Sequence, residues 1–153
     1  MKSCNNFVSA DYSRKNSGSM KKHIFLVDDD EDEMLFLNDA LTTVRIPIKC
    51  TWAKSGEQAL MQLEYLMPDI IFLDYNMPSS NGLEILRQIK TTKPNIYILL
   101  ISGQKDIQIA LSALKDGAAD YIIKGEEDLD MISNVINKIM TTRVPISKLY
   151  ELN

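Results

Sequence analysis

Apolar residues along the chain gather into five short runs, each closed by polar residues and each followed by a segment with helical spacing. His23-Ile24-Phe25-Leu26-Val27 leads into Asp28-Asp29-Asp30. Ile48-Lys49-Cys50-Thr51-Trp52 follows Pro47, and Ile70-Ile71-Phe72-Leu73 runs straight into Asp74 and the turn Tyr75-Asn76-Met77-Pro78. Asn95 to Ile101 is closed by Ser102-Gly103, and Ala119 to Ile123 by Lys124-Gly125. Short apolar runs stopped by turns predict strands buried on both faces, as in parallel sheets. The intervening segments read as helices. The first spans about Glu31 to Val44, with Asp30 and Glu33 at capping-box spacing and Met34, Leu37, Leu41 and Val44 on one face. Ser55 and Gln58 open the second with the same spacing, Ala59, Leu60, Leu63 and Leu66 face inward, and Pro68 stops it. Asn81-Gly82-Leu83-Glu84 starts the third, with Leu83, Leu86 and Ile89 inward and Pro94 at its end. The fourth covers 104–116, with Gly117 as its C′ residue. The last runs from Asp128 to about Arg143 and buries Leu129, Ile132, Ile136 and Ile139; Pro145 prevents its continuation.

Five strand-helix repeats predict an α/β doubly wound fold, a parallel sheet with helices on both faces. Residues 1–20 are rich in Ser, Asn and Lys and read as a disordered leader, 21–143 as one domain, and 144–153 as a short tail. The chain has 153 residues and a net charge of −4, which argues against a nucleic-acid-binding surface. No run approaches the roughly 20 apolar residues that span a bilayer, and the N-terminus lacks a signal-peptide core. Cys4 and Cys50 fall in a polar tail and a strand, so a reduced, cytoplasmic setting is the simpler expectation. With His23 as the one histidine, Cys/His metal sites and Ser-His-Asp triads built on any other histidine are excluded.

Four of the five strands end in groups that carry chemistry: Asp28 and Asp29, Asp74, Ser102, and Lys124. A parallel sheet brings all its carboxyl ends to one edge, where open α/β sheets bind ligands. Carboxylates crowded there repel, and a hard divalent cation relieves them; an oxygen-only donor set suits Mg²⁺ better than Zn²⁺ or Cu²⁺. A cation, an ammonium and a hydroxyl around one carboxylate make a site for an incoming phosphoryl group. Taken singly, each residue has a plainer role. Asp30 is a helix cap, Ser102 a turn residue, Lys124 a surface lysine and Tyr121 a core residue with a wet tip. Their joint placement at strand ends favours the functional reading.

The motifs Leu26-Val27-Asp28-Asp29-Asp30, Leu73-Asp74-Tyr75-Asn76-Met77-Pro78 with Asn81-Gly82, Ile101-Ser102-Gly103 and Asp120-Tyr121-Ile122-Ile123-Lys124 resemble the receiver domain of two-component response regulators over about Lys21 to Arg143. The resemblance implies a flavodoxin-like (βα)5 sandwich with strand order 2-1-3-4-5. It implies Asp74 as phosphoacceptor from a histidine kinase or a histidine phosphotransfer protein. Asp29 would bind Mg²⁺ directly and Asp28 mainly through water, with the backbone carbonyl of Asn76 as a further ligand. Ser102 would contact a phosphoryl oxygen, Lys124 would pair with the acceptor or its phosphate, and Tyr121 would turn inward on activation. The responding surface would be the fourth helix, fifth strand and fifth helix, a face that also allows a homodimer. Two residues depart from the family pattern: Gly125 stands where proline commonly follows the lysine, and Ser102 replaces a frequent threonine. The acidic run Glu126-Glu127-Asp128 reads as a solvated helix start.

The expected function is a stand-alone phosphorelay receiver acting on an unidentified protein target, without membrane insertion or direct nucleic-acid contact, and not an enzyme with a separate substrate. Two other classes compete. One is a receiver-like interaction module that does not use phosphorylation, against which the acids and Lys124 argue. The other is a phosphatase of the haloacid dehalogenase type, whose Asp-x-Asp pattern fits Asp28 and Asp30 but not Asp32 at its last position. Flavin binding is disfavoured because no Ser/Thr/Gly-rich loop follows the first strand.

Overall fold

The structure, a computed structural model, describes residues 21–125 and 129–141. The expectations for the leader, Glu126-Glu127-Asp128, the helix end at Arg143, Pro145 and the 144–153 tail lie outside the described residues, as does the inward side chain of Leu129. Strands β1 (Lys22–Val27), β2 (Ile48–Ala53), β3 (Ile70–Asp74), β4 (Tyr97–Ser102) and β5 (Asp120–Ile123) form one sheet in the order β2-β1-β3-β4-β5. Every neighbouring pair is parallel. The strand order implied by the resemblance is therefore the observed one.

The apolar runs are continuous because both faces of the sheet are covered. Successive side chains point to opposite faces. Ile24, Leu26, Ile70 and Phe72 pack with Met34, Leu37 and Leu41 of α1 (Glu31–Thr42) and with Ile132 and Ile136 of α5 (Leu129–Thr141). Phe25, Val27, Ile71 and Leu73 pack on the other face. There they meet Ala59 of α2 (Gly56–Gln62), Leu86 and Ile89 of α3 (Gly82–Thr92) and Ala113 of α4 (Ile107–Lys115). Two helices cover one side and three the other.

Element ends differ from the expectation where caps decide. α1 stops at Thr42, whose follower Thr43 caps it through Ala40 and Leu41 carbonyls, while Val44 stays buried beyond the helix. α2 is only seven residues long, and Leu63 and Leu66 lie past its end. There Tyr65 and Leu66 amides both donate to the Gln62 carbonyl, a turn rather than a further helical repeat. α4 starts at Ile107 because the Asp106 carboxylate accepts the Gln108 and Ile109 amides at 2.8 and 3.4 Å. Gly117, with φ +102°, sits at its C-terminal end as expected.

Between β3 and α3 the chain makes a short antiparallel ribbon, Asn76–Met77 against Ser80–Asn81. It delivers α3 directly onto the end of β3. A Cβ on Gly82 would lie 2.6 Å from the Asp74 carbonyl oxygen and 2.7 Å from the Tyr75 Cα. Both are backbone atoms, so neither can swing aside. Gly82→Ala is therefore expected to destabilise the fold by about 2–4 kcal/mol. A thermal melt should register this as a loss of roughly 5–15 °C, and an unchanged melting temperature would contradict the close approach.

Candidate functional site

The sheet's hydrogen bonding continues one residue beyond β1, β3 and β5, and the site residues lie at or just past these strand ends. The Asp28 amide donates to the Ala53 carbonyl at 3.1 Å, the Tyr75 amide to Ile101 at 2.7 Å, and the Lys124 amide to Ser102 at 2.8 Å. Backbone pairing thus fixes Asp28, Asp74, Ser102 and Lys124 along one edge. Asp28 and Asp74 are each only 2 % exposed and Ser102 is fully buried.

Lys124 stands among carboxylates. Its Nζ is 2.9 Å from Asp74 Oδ1 and 3.6 Å from Asp28 Oδ2, and it donates a close hydrogen bond to Glu33 Oε2. One oxygen each from Asp28, Glu33 and Asp74 lie within 4.8 Å of one another. Asp28 Oδ1 also accepts the Asp30 amide at 2.9 Å, and the Asp28 carbonyl accepts the indole N–H of Trp52 at 2.8 Å. Asp74 Oδ1 accepts the Asn76 amide at 3.3 Å.

Burial pushes the Asp28 carboxyl up to about 8, with the Glu33 hydrogen bond and the Asp74 charge acting in the same direction. Burial also raises Asp74, although Lys124 and the Asn76 amide oppose it. For Lys124 burial pulls the other way, but Glu33, Asp74 and Asp28 outweigh it and hold the ammonium above its ordinary value. Burial is the largest influence on all three groups, and three carboxyl groups facing one ammonium add to it. Such a cluster could hold a metal ion, and its all-oxygen donors suit a hard divalent cation.

The other expected site residues are placed as follows. Asp29 is exposed and lies outside the carboxylate cluster. Asn76 is exposed, with its amide directed at Asp74. Ser102 Oγ accepts the Gln104 amide at 3.1 Å, and the half-buried Tyr121 donates its hydroxyl proton to the Gln104 carbonyl at 2.6 Å. One residue, Gln104, thus links the two. Asp30 is the cap of α1: its carboxylate accepts the Asp32 amide at 2.9 Å, while its own amide donates to Asp28. A cavity of about 430 Å³ opens beside the cluster, lined by Asp28, Asp32, Glu33, Phe36, Lys124 and Gly125 among others.

Glu33 is the site residue that the sequence pattern assigned to another task. Its capping-box spacing is real, but the Asp30 amide it would have reached is taken by Asp28, and its carboxylate turns to Lys124. An acid one helical turn beyond an acidic strand end was the available signal. Gly125 also finds its reason. It has φ +83°, a conformation closed to proline, and no cis peptide occurs among the described residues.

An open parallel α/β sheet with acids, a hydroxyl and a lysine on its carboxyl edge defines a narrow class of ligand-binding domain. Residues 24–136 match the family model for the response regulator receiver domain. The chain belongs to the response regulator receiver family. The chemotaxis protein CheY of Thermotoga maritima is 30% identical over 105 residues, 69% of this chain and 87% of CheY. The probable C4-dicarboxylate response regulator DctR of Bacillus subtilis is 31% identical over 101 residues, 66% of this chain but 45% of DctR. The transcriptional regulator NtrC of Klebsiella pneumoniae is 35% identical over 100 residues, 65% of this chain but 21% of NtrC. This chain therefore spans less than half the length of those two regulators. Among solved structures, a two-component response regulator from Clostridium difficile superposes with a TM-score of 0.72 at 23% identity, covering 80% of this chain and 98% of that one. TrrA from Thermotoga maritima, solved in complex with Mg²⁺-BeF, superposes with a TM-score of 0.67 at 26% identity, covering 77% and 98%. No helix among the described residues is long and apolar enough to cross a membrane.

The raised carboxyl makes stability depend on pH in a defined direction. Between the unperturbed value of 3.8 and about 8, the folded protein keeps a proton on Asp28 that the unfolded chain has released. Stability therefore falls as pH rises through that window. His23 acts oppositely but lower: burial depresses its pKa, so it removes stability as pH falls through 6.5. In cation-free buffer the melting temperature should rise by roughly 2–4 °C from pH 8 to pH 7. Asp28→Asn should flatten that slope; an equal slope in the variant would remove Asp28 as its source.

Proposed function

We propose that this domain accepts a phosphoryl group on Asp74 from a histidine kinase or a histidine phosphotransfer protein, with Mg²⁺ as cofactor, and signals through protein contacts. The observation that carries the reading is the buried Asp74 carboxylate with Lys124 Nζ at 2.9 Å and two further acids beside it. In the transfer, an Asp74 carboxylate oxygen forms a bond to phosphorus as the bond from phosphorus to the donor's imidazole nitrogen breaks; that nitrogen keeps the electron pair. The product is an acyl phosphate. Asp28, Asp29, Asp74 and the Asn76 carbonyl are the proposed Mg²⁺ holders, and the Mg²⁺-BeF complex of TrrA supports that choice of cation. When bound, Mg²⁺ supplies positive charge against the transferring oxygens.

The protein's own groups do the rest. Lys124 follows the negative charge from the Asp74 carboxylate to the phosphoryl oxygens. Ser102, one strand over from Asp74 and fully buried, offers its hydroxyl to a phosphoryl oxygen. Turning the hydroxyl toward that oxygen also reorients the lone pairs that accept the Gln104 amide, and the Gln104 carbonyl holds Tyr121. A local change at Asp74 in this way reaches the α4-β5-α5 face. On α4, Ile107, Leu111 and Leu114 are 73%, 55% and 48% exposed and fall on one side of the helix, which supports this face as the contact surface for a target or a second copy. The domain turns over no separate substrate; its own chemistry is phosphotransfer onto Asp74 and loss of that group. The proposed donors place it in the cytoplasm.

Incubation with acetyl phosphate and Mg²⁺ should add one phosphoryl group, read by intact mass. Asp74→Ala should add none, and an adduct on that variant would overturn the assignment. Lys124→Ala should still be labelled to some extent, but its Gln104 and Tyr121 amides should no longer change hydrogen-exchange protection on phosphorylation. A full response in that variant would take the lysine out of the relay.

A further inference from the structure

The role of Glu33 can be read more closely. It projects from the first turn of α1, not from a strand end, and its side chain is 35% exposed while those of Asp28 and Asp74 are 3% and 2% exposed. Its helix is already capped by Asp30, and Asp28 has taken the amide it could have satisfied. The Glu33 carboxylate therefore turns into the cluster, where it meets the Asp28 carboxyl and takes the Lys124 ammonium. Lys124 in turn needs steering. Its backbone amide is held by Ser102, but the next residue is Gly125, exposed and with open space where a side chain would stand. The long lysine side chain is thus aimed by charge, and the acids offer it two alternatives. It can sit wholly on Asp74 and Asp28, the carboxylates a cation needs, or it can be drawn toward α1 by Glu33.

We propose that Glu33 is a positioning residue that shares Lys124 with Asp74 and keeps it at 3.6 Å from Asp28, so that a divalent cation can compete for the two aspartates. The inference rests on the phosphoacceptor reading above and extends it to a residue outside the strand-end motifs. Without Glu33, the ammonium collapses onto the two buried aspartates and acts as an internal competitor of the cation. With Glu33, it is divided between α1 and Asp74, one side-chain swing from a phosphoryl oxygen. Glu33 then acts through Lys124, and not mainly through its own charge on the cation.

A double-mutant cycle separates these two routes. The readout is Mg²⁺ titration of the full chain followed by fluorescence of Trp52, the single tryptophan, whose indole N–H bonds the Asp28 carbonyl. Glu33→Gln is expected to weaken Mg²⁺ binding by about tenfold, and Lys124→Ala to tighten it by a similar factor, each on the order of one charge interaction. In the Lys124→Ala background, Glu33→Gln should cost less than about threefold. If it costs the same factor in both backgrounds, Glu33 acts directly and the proposal is overturned. It is also overturned if Glu33→Gln leaves the affinity unchanged in the wild-type background. Failure of the underlying reading looks different: the wild type itself would show no Mg²⁺ response and take no phosphoryl group from acetyl phosphate.

Discussion

The structure turns on an unbalanced charge. Three carboxylates and one ammonium share the carboxyl edge of an otherwise apolar sheet. Burying unpaired charge is unfavourable unless it is hydrogen-bonded and compensated, and here compensation is incomplete by design of the backbone. The ladder hydrogen bonds that carry Asp28, Asp74 and Lys124 to the edge do not depend on which ions are present. The fold supplies a fixed frame, and the frame holds the acids closer together than they would choose. The proposed cation binding and the proposed phosphoryl transfer both draw on that one constraint.

The frame is rigid because the sheet is packed from both sides. Phe25, Phe72, Ile71 and Leu73 are essentially without solvent contact, and a sheet so enclosed cannot flex one strand without disturbing two helical layers. The strands that carry acids, β1 and β3, are neighbours at its centre, whereas Lys124 leaves β5 at the edge. The acids are thus the fixed part of the site and the lysine the adjustable part. Gly125 accentuates this difference, since a turn with φ +83° orders the backbone but gives the preceding side chain no support.

Much of this was legible in the residues. Both-face burial announced itself as unbroken apolar runs, and the strand ends announced the site. What the sequence concealed follows from competition for the same groups. Glu33 and Gln58 each sit at capping-box spacing, yet Glu33 bonds Lys124 and Gln58 accepts the Lys54 amide at 2.7 Å, one residue before its expected partner. Spacing tells where a side chain can reach, and tertiary contacts decide which of the reachable partners it takes. Helix lengths were misjudged for a related reason. Leu63 and Leu66 continue the apolar period of α2, but a turn can bury Leu63 as well as a helix can. Asp29 is a different case: it repeats Asp28 in type and differs from it in exposure, because the chain leaves the covered sheet after Asp28.

The helices are not anchored equally. α3 buries Gly82, Ile85, Leu86 and Ile89, whereas α4 buries only Ala113, and its larger apolar side chains Ile107, Leu111 and Leu114 face water. With fewer buried side chains, α4 has less to lose than α3 on leaving its seat. A protein's local stability follows such differences, so α4 should yield before α3 to a push from the sheet edge. Softness in one helix beside a stiff five-stranded frame means that a small change at the edge is not dissipated evenly. It collects where resistance is lowest, and there the chain already displays the apolar surface that a partner could use.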